Sequence, residues 1–210
     1  STSNANNGTI TGATATTGKI DGAGSFDGVN DGVTATKSGL ISSFTVSAWA
    51  KGGPGNRLRI VTDGRGSTDG WTVGWGFGAG NIGFTKFGVV DLDKSIGSSW
   101  PTDWNHYVWV VGSDYDIELY FNGVSQGKYG NTQTIVANSN TEFGIGISWS
   151  SGGTPGSYWN GPIDEARLSN SARSSDWIRT EYNNQSSPST FMAMGKQEKL
   201  TRSVPGIQIK

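Results

Sequence analysis

Three groups of residues in this chain have types and spacings that could do chemistry. The first is acidic: Asp164 and Glu165 in GPIDEARLSNSARSSDWIRTEY (161–182), and Asp114, Asp116 and Glu118 in DYDIELY (114–120). Successive residues of a strand point to opposite faces, so Asp164 and Glu165 cannot act together as acid and nucleophile, whereas 114, 116 and 118 share a face. The second is the loop FDGVNDG (26–32), where Asp27, Asn30 and Asp31 carry hard oxygens and Gly28 frees backbone carbonyls. Calcium takes six to eight such ligands. The alternative is that Asp27 and Asn30 only stabilise a turn through side-chain hydrogen bonds. The third group is aromatic and polar: Arg65, Asp69 and Trp71 in RGSTDGW, and Trp149, Tyr158 and Trp159 in SWSSGGTPGSYW (148–159). Sugar rings lay their C–H faces on aromatic rings while neighbouring polar groups take the hydroxyls, so these two loops are the candidate ligand site if they meet. A serine triad would depend on His106, the single histidine. It opens the strand pattern of WNHYVWVV and is read as structural.

The elements that must position these groups are strands. FTVSAWA (44–50) alternates with period two, and so do RLRIVT (57–62), WTVGWGFG (71–78), NIGFTKFG (81–88), HYVWVVG (106–112) and DIELYFNGV (116–124). Asn122-Gly123 predicts a tight hairpin, because both central residues of a type I′ turn need positive φ. The spacing predicts an all-β fold of two antiparallel sheets packed face to face. One short helix is expected in SARSSDWIRTEY, capped by Ser171 or Ser174, with Trp177, Ile178 and Tyr182 on its apolar side. The first 18 residues read as an edge strand or an arm along a sheet, and KQEKLTRSVPGIQIK (196–210) as a linker or flexible tail.

Composition narrows the function. The chain has 210 residues, 33 of them glycine and 9 tryptophan, no cysteine, and a formal charge of -1, enough for one large domain. Its 16 Lys and Arg are scattered, which argues against nucleic acid as a partner. No apolar run reaches the roughly 18 residues that span a bilayer, and the polar start at Ser1 lacks a signal-peptide pattern, as expected of a mature form or an excised piece. The absent cysteines exclude disulfides without fixing a compartment. Two sequons, at Asn7 and Asn184, match a glycosylation pattern that arises often by chance in so Asn-, Ser- and Thr-rich a chain.

Five segments in order, GAGSFDGVNDGVTA (22–35), FTVSAWAK (44–51), DWNHYVWVV (103–111), IELYFNGV (117–124) and GPIDEARLSNSARSSDWIRTEYNNQ (161–185), resemble the concanavalin A-like lectin/glucanase superfamily, most closely its laminin-G-like domains. The resemblance covers roughly residues 1–195 and implies a jelly-roll sandwich. It further implies a module of a longer secreted or cell-surface protein, monomeric as a domain. Trp49, Trp104 and Trp109 match buried family positions. The glucanase branch carries Glu-x-Asp-x-x-Glu on one strand, which is missing here. DYDIELY matches the strand before the hairpin, so its acids are read as the solvated face of an edge strand. By resemblance a carboxylate of the closing strand and an early loop share a structural calcium, which would join Asp164 to Asp27, Gly28 and Asn30. Otherwise Asp164 pairs with Arg167. The expected function is therefore a non-catalytic, carbohydrate-binding, calcium-stabilised module. An adhesive or structural spacer is the alternative, and a glycoside hydrolase a distant one.

Overall fold

The computed structural model describes residues 7–36, 43–55, 58–65, 70–76, 78–114, 116–129 and 142–191. In chain order its strands are β1 (Thr9–Thr11), β2 (Thr14–Thr17), β3 (Gly22–Asp27), β4 (Gly32–Thr36), β5 (Phe44–Ala50), β6 (Arg59–Asp63), β7 (Trp71–Trp75) and β8 (Asn81–Lys86). There follow β9 (Val90–Ser95), β10 (Asn105–Val111), β11 (Ile117–Phe121), β12 (Val124–Tyr129), β13 (Glu142–Ile145), β14 (Ser148–Trp149), β15 (Pro155–Gly156) and β16 (Asn160–Ser169). Two helices close the described chain, α1 (Ser175–Ser186) and α2 (Pro188–Phe191).

The strands form two seven-stranded antiparallel sheets, ordered β1-β4-β13-β6-β7-β8-β9 and β12-β11-β10-β5-β16-β3-β2. Their facing sides make the core, where Phe44 of one sheet stacks on Trp71 of the other at 4.6 Å. Trp75 is stacked on Trp100 and meets Trp159 edge-on, at 4.6 and 4.9 Å. The expected N-terminal arm serves both sheets, with β1 at the edge of the first and β2 at the edge of the second. On the opposite side the Tyr129 hydroxyl donates to the Asp93 carbonyl, tying edge strand β12 to edge strand β9.

FTVSAWA is buried on both faces rather than one. Phe44, Val46, Ala48 and Ala50 enter the core, while on the other face Thr45 bonds Ser171 and Arg173 and Trp49 bonds Gln185 of α1. Ile178 of α1 fills the space over Val108, Val110 and Tyr120. Ser174 caps the helix, accepting from the Trp177 amide at 3.3 Å. Trp177 departs from the expected apolar side: it is 37% exposed, with the Arg173 guanidinium 4.7 Å above its ring. The Asn122-Gly123 turn has φ of 50° and 75°, as type I′ geometry requires. The hairpin does not, however, leave β11 at an edge, because β12 covers it. Asp114 and Asp116 precede β11, and Glu118 is tied to the Ser125 hydroxyl at 2.6 Å. The expected boundary near residue 195 and the tail 196–210 lie outside the described residues. No described helix is long and apolar enough to cross a membrane.

Candidate functional site

The register of the first sheet aligns Thr9, Thr34, Gly144, Thr62, Thr72, Thr85 and Asp91 in one rung. Directly paired residues share a face, and this one points away from the core. Gly144 leaves a gap in the rung that Trp149 fills: a Cβ placed on Gly144 would stand 2.7 Å from Cη2 of that ring. Trp149 belongs to the hairpin β14–β15, which stands over the sheet. Between this hairpin and the turn joining β8 to β9 lies a cleft of about 550 Å³, with Arg59, Thr85, Lys86, Asp91, Trp149 and Ser157 among its lining.

The cleft wall combines the groups that sugar recognition uses. Arg59 is 3% exposed, so it is held in place rather than free in solvent. Lys86 pairs with Trp71 and so turns its side chain to the core face, bordering the cleft only as the end of β8. Arg59 reaches the Trp75 carbonyl through Nη1 at 3.5 Å, and its amide donates to the Ser157 carbonyl at 3.3 Å. The Thr85 hydroxyl donates to Asp91 Oδ1 at 2.6 Å, fixing a carboxylate at the opening. Among the described residues Asp91 is the one carboxylate that lines the cleft, whereas glycoside hydrolysis ordinarily takes two.

The expected ligand residues separate. Trp149 lines the cleft but is only 9% exposed, its ring seated against Gly144. Tyr158 is half-buried and is not among the residues that line the cleft. Trp71 and Trp159 are core residues, 3% and 0% exposed, whose rings are covered by Phe44 and Phe84 and by Trp75 respectively. They cannot serve as a sugar platform. Asp69 lies outside the described residues. The two loops do meet, through Arg65 and Gly153: a Cβ on Gly153 would fall 2.6 Å from Arg65 Nη1. Arg65 is thus behind the hairpin rather than in the cleft. Arg59, Lys86, Thr85 and Asp91 escaped the sequence reading because each sits in a segment that reads only as strand or turn. Cross-strand register pairs Thr85 with Asp91, and the hairpin contact at Ser157 brings in Arg59.

The expected calcium ligands also separate. Asp27 Oδ1 accepts from the amides of Val29 and Asn30 at 2.8 and 3.2 Å, a closed turn at the end of β3 whose backbone donors hold the Asp27 carboxyl below its ordinary pKa. Asn160 pairs with Asp27, so Asp164, four residues further along β16, is about 13 Å away at ~3.3 Å per residue. Asp164 Oδ2 accepts instead from the Ile20 amide at 2.9 Å, in the space that Gly18 leaves by lacking a side chain. The four expected ligands therefore do not fit one ion. Asp164 does join the beginning of the chain to its end, through the 18–21 turn. It is 6% exposed and has no cationic partner among the described residues.

Glu165 takes a different course. The strand bulges between Asp164 and Arg167, with Glu165 at φ 52°, so simple alternation fails at that point. Arg167, expected to pair with Asp164, bonds Glu165 and, at 2.7 Å, Glu181 of α1. Glu181 also faces His106 Nε2 at 3.6 Å. Burial, then the charge of Arg167, lowers the His106 pKa to about 4, and burial raises that of Glu181. His106, read from the sequence as structural, is 1% exposed.

Two seven-stranded antiparallel sheets packed face to face, with a short helix on the outer face of one, make this an all-β sandwich. The chain belongs to the concanavalin A-like lectin/glucanases superfamily, whose Laminin_G_3 model matches residues 27–179. Among solved structures it is similar to domain 4 of AbnA, an extracellular arabinanase of family GH43 from Geobacillus stearothermophilus, in complex with arabinotriose. The TM-score is 0.65 at 21% identity, over 82% of this chain and 86% of that one. It is similar also to the CBM40 of the Ruminococcus gnavus IT-sialidase bound to α2,3-sialyllactose, with TM-score 0.61 and 13% identity over 75% and 96% of the two chains. A third is the binding domain of Paraclostridial Mosquitocidal Protein 1, with TM-score 0.68 and 15% identity over 87% of this chain and 48% of that one. At such identities the likeness is one of fold. No curated protein matches the chain.

Proposed function

We propose that this domain is a non-catalytic, carbohydrate-binding module of a secreted or cell-surface protein, acting as a monomeric unit of a longer chain. The observation that carries the reading is the cleft, where Trp149 lies beside the fixed polar groups of Arg59, Thr85 and Asp91. A ring at the wall and a few oriented donors and acceptors is the composition that takes a sugar. A single lining carboxylate among the described residues supports binding over hydrolysis. That two similar folds are described in complex with arabinotriose and sialyllactose supports the ligand class.

A structural calcium belongs to this proposal, with Asp164 as its carboxylate and oxygens of the 18–21 turn as its partners. What supports it is a buried carboxylate with one amide donor and no cationic partner among the described residues, since a buried charge is costly unless it is paired. When bound, the ion would neutralise Asp164 and cross-link the two ends of the fold.

The test is calorimetric titration of the full chain with arabinotriose, 3′-sialyllactose and neutral β-glucan oligosaccharides. A saturable heat that Trp149→Ala weakens by about 10-fold, or ~1.4 kcal/mol, is the expected result. Absence of binding across the panel, with intrinsic tryptophan fluorescence unchanged, would replace this reading by the spacer.

A further inference from the structure

The hairpin that walls the cleft is hydrogen-bonded as a strand to neither seven-stranded sheet; β14 and β15 pair only with each other. Its base is held by Trp149 on Gly144 and by the Arg59 amide on the Ser157 carbonyl. Its tip has a different support. Arg65 donates through Nε to Glu142 Oε1 at 2.7 Å and also reaches that carboxylate through Nη2. The same guanidinium lies against Gly153, with Nη1 and Cζ 2.6 and 3.0 Å from where a Cβ would stand. Gly153 has φ +80°, so both backbone shape and lack of a side chain suit glycine there. Glu142 opens β13, opposite Thr36 of β4, so it is anchored in the sheet.

We propose that Arg65 is a positioning residue: bridging Glu142 to Gly153, it fixes the hairpin tip and thereby the width of the cleft. Only its consequence for affinity rests on the glycan-binding reading. The planar fork is what allows one side chain to hold a carboxylate and fill a flat gap at once, which a lysine cannot do. The two side chains are 41% and 29% exposed, so the clamp is open to screening by salt.

Hydrogen exchange of the full chain tests this without any ligand. The Ser150 and Gly153 amides, bonded to the Thr154 and Ser150 carbonyls, report the hairpin, and β10 amides report global opening. In Arg65→Met and in Glu142→Gln the two hairpin amides should exchange about 3- to 5-fold faster, the worth of a well-formed exposed ion pair, with β10 unchanged. Added salt should speed the wild type toward the variants and leave the variants alone. Hairpin exchange equal to wild type in both variants overturns the clamp. With arabinotriose and 3′-sialyllactose as probes, weaker binding by both variants supports the role in setting the cleft. Equal binding despite a loosened hairpin overturns that role. If no sugar of the panel, the β-glucan oligosaccharides included, binds the wild type, the glycan reading fails while the exchange result still decides the clamp.

Discussion

Trp49 Nε1 donates to Gln185 Oε1 at 2.6 Å, a bond buried between the middle of the second sheet and helix α1. It joins residues 136 apart in sequence and lets a tryptophan sit on the outer face of a strand without stranding its N–H. Tyr182 stacks on the same ring at 5.8 Å, and Lys19 lies 5.0 Å over it. Gln185→Leu leaves the indole N–H buried without an acceptor and should cost about 1–3 kcal/mol in urea unfolding. Trp49→Phe with Gln185→Leu should cost less than the two single losses added. Strict additivity would show that the bond does not fasten the helix.

The same interface makes stability depend on pH. His106 has a folded pKa of about 4 against an ordinary 6.5, so its neutral form stabilises the fold fully above pH 6.5. That contribution is lost as pH falls from 6.5 toward 4, up to about 3 kcal/mol. Glu181 works the other way, because burial raises its pKa and its protonation on acidification favours the folded state, while Arg167 restrains that rise. Glu165 and Arg173 also act on Glu181 by charge, and Trp49 and Tyr182 flank the imidazole. The wild type should lose stability from pH 6.5 to 4, and His106→Gln should show a flatter profile there. Parallel profiles would remove His106 as the source.

How much of this was legible in sequence follows from the range of each interaction. Alternation in FTVSAWA and the Asn122-Gly123 turn are local, and both read correctly as strand and hairpin. That Trp49 faces a helix and not water depends on residues more than a hundred positions away, so alternation alone made β5 half-exposed. Trp71 and Trp159 border glycine-rich stretches that resemble exposed loops, yet sheet packing carries both rings inward. The cleft needed the register of β6, β7, β8 and β9, which composition does not contain. The resemblance joined Asp164 to the 27–30 loop through calcium, whereas its hydrogen bond runs to the 18–21 turn, since the β3–β16 register decides which early segment it meets.

Asp164 and Asp27 are distinguishable by melting. With calcium at 100 times its Kd the wild type should gain ~2.7 kcal/mol over its state in EDTA, and Asp164→Ala should abolish that gain. Asp27→Ala should keep the calcium response, because its carboxylate closes only its own turn with Val29 and Asn30. Identical wild-type curves with calcium and with EDTA would remove the ion, leaving Asp164→Ala with only the loss of the Ile20 hydrogen bond.

Gly144 offers the sharpest test of how the cleft is built. Its neighbours across the sheet are Thr34 and Thr62, and the ring of Trp149 rests where its side chain would be. Besides Cη2 at 2.7 Å, a Cβ there would meet Ile147 Cγ2 at 2.8 Å, so the methyl of Gly144→Ala must push the 147–149 segment off the sheet. Overpacking of this kind costs about 1–3 kcal/mol. Because the core rings Trp71, Trp75 and Trp159 lie on the other face of the sheets, the displacement should be confined to Trp149. Acrylamide quenching should therefore rise in Gly144→Ala relative to wild type, and the rise should vanish in Gly144→Ala with Trp149→Phe. Quenching that persists in the double variant would mean that the core had opened instead, and that Gly144 supports the sandwich rather than the wall of the cleft.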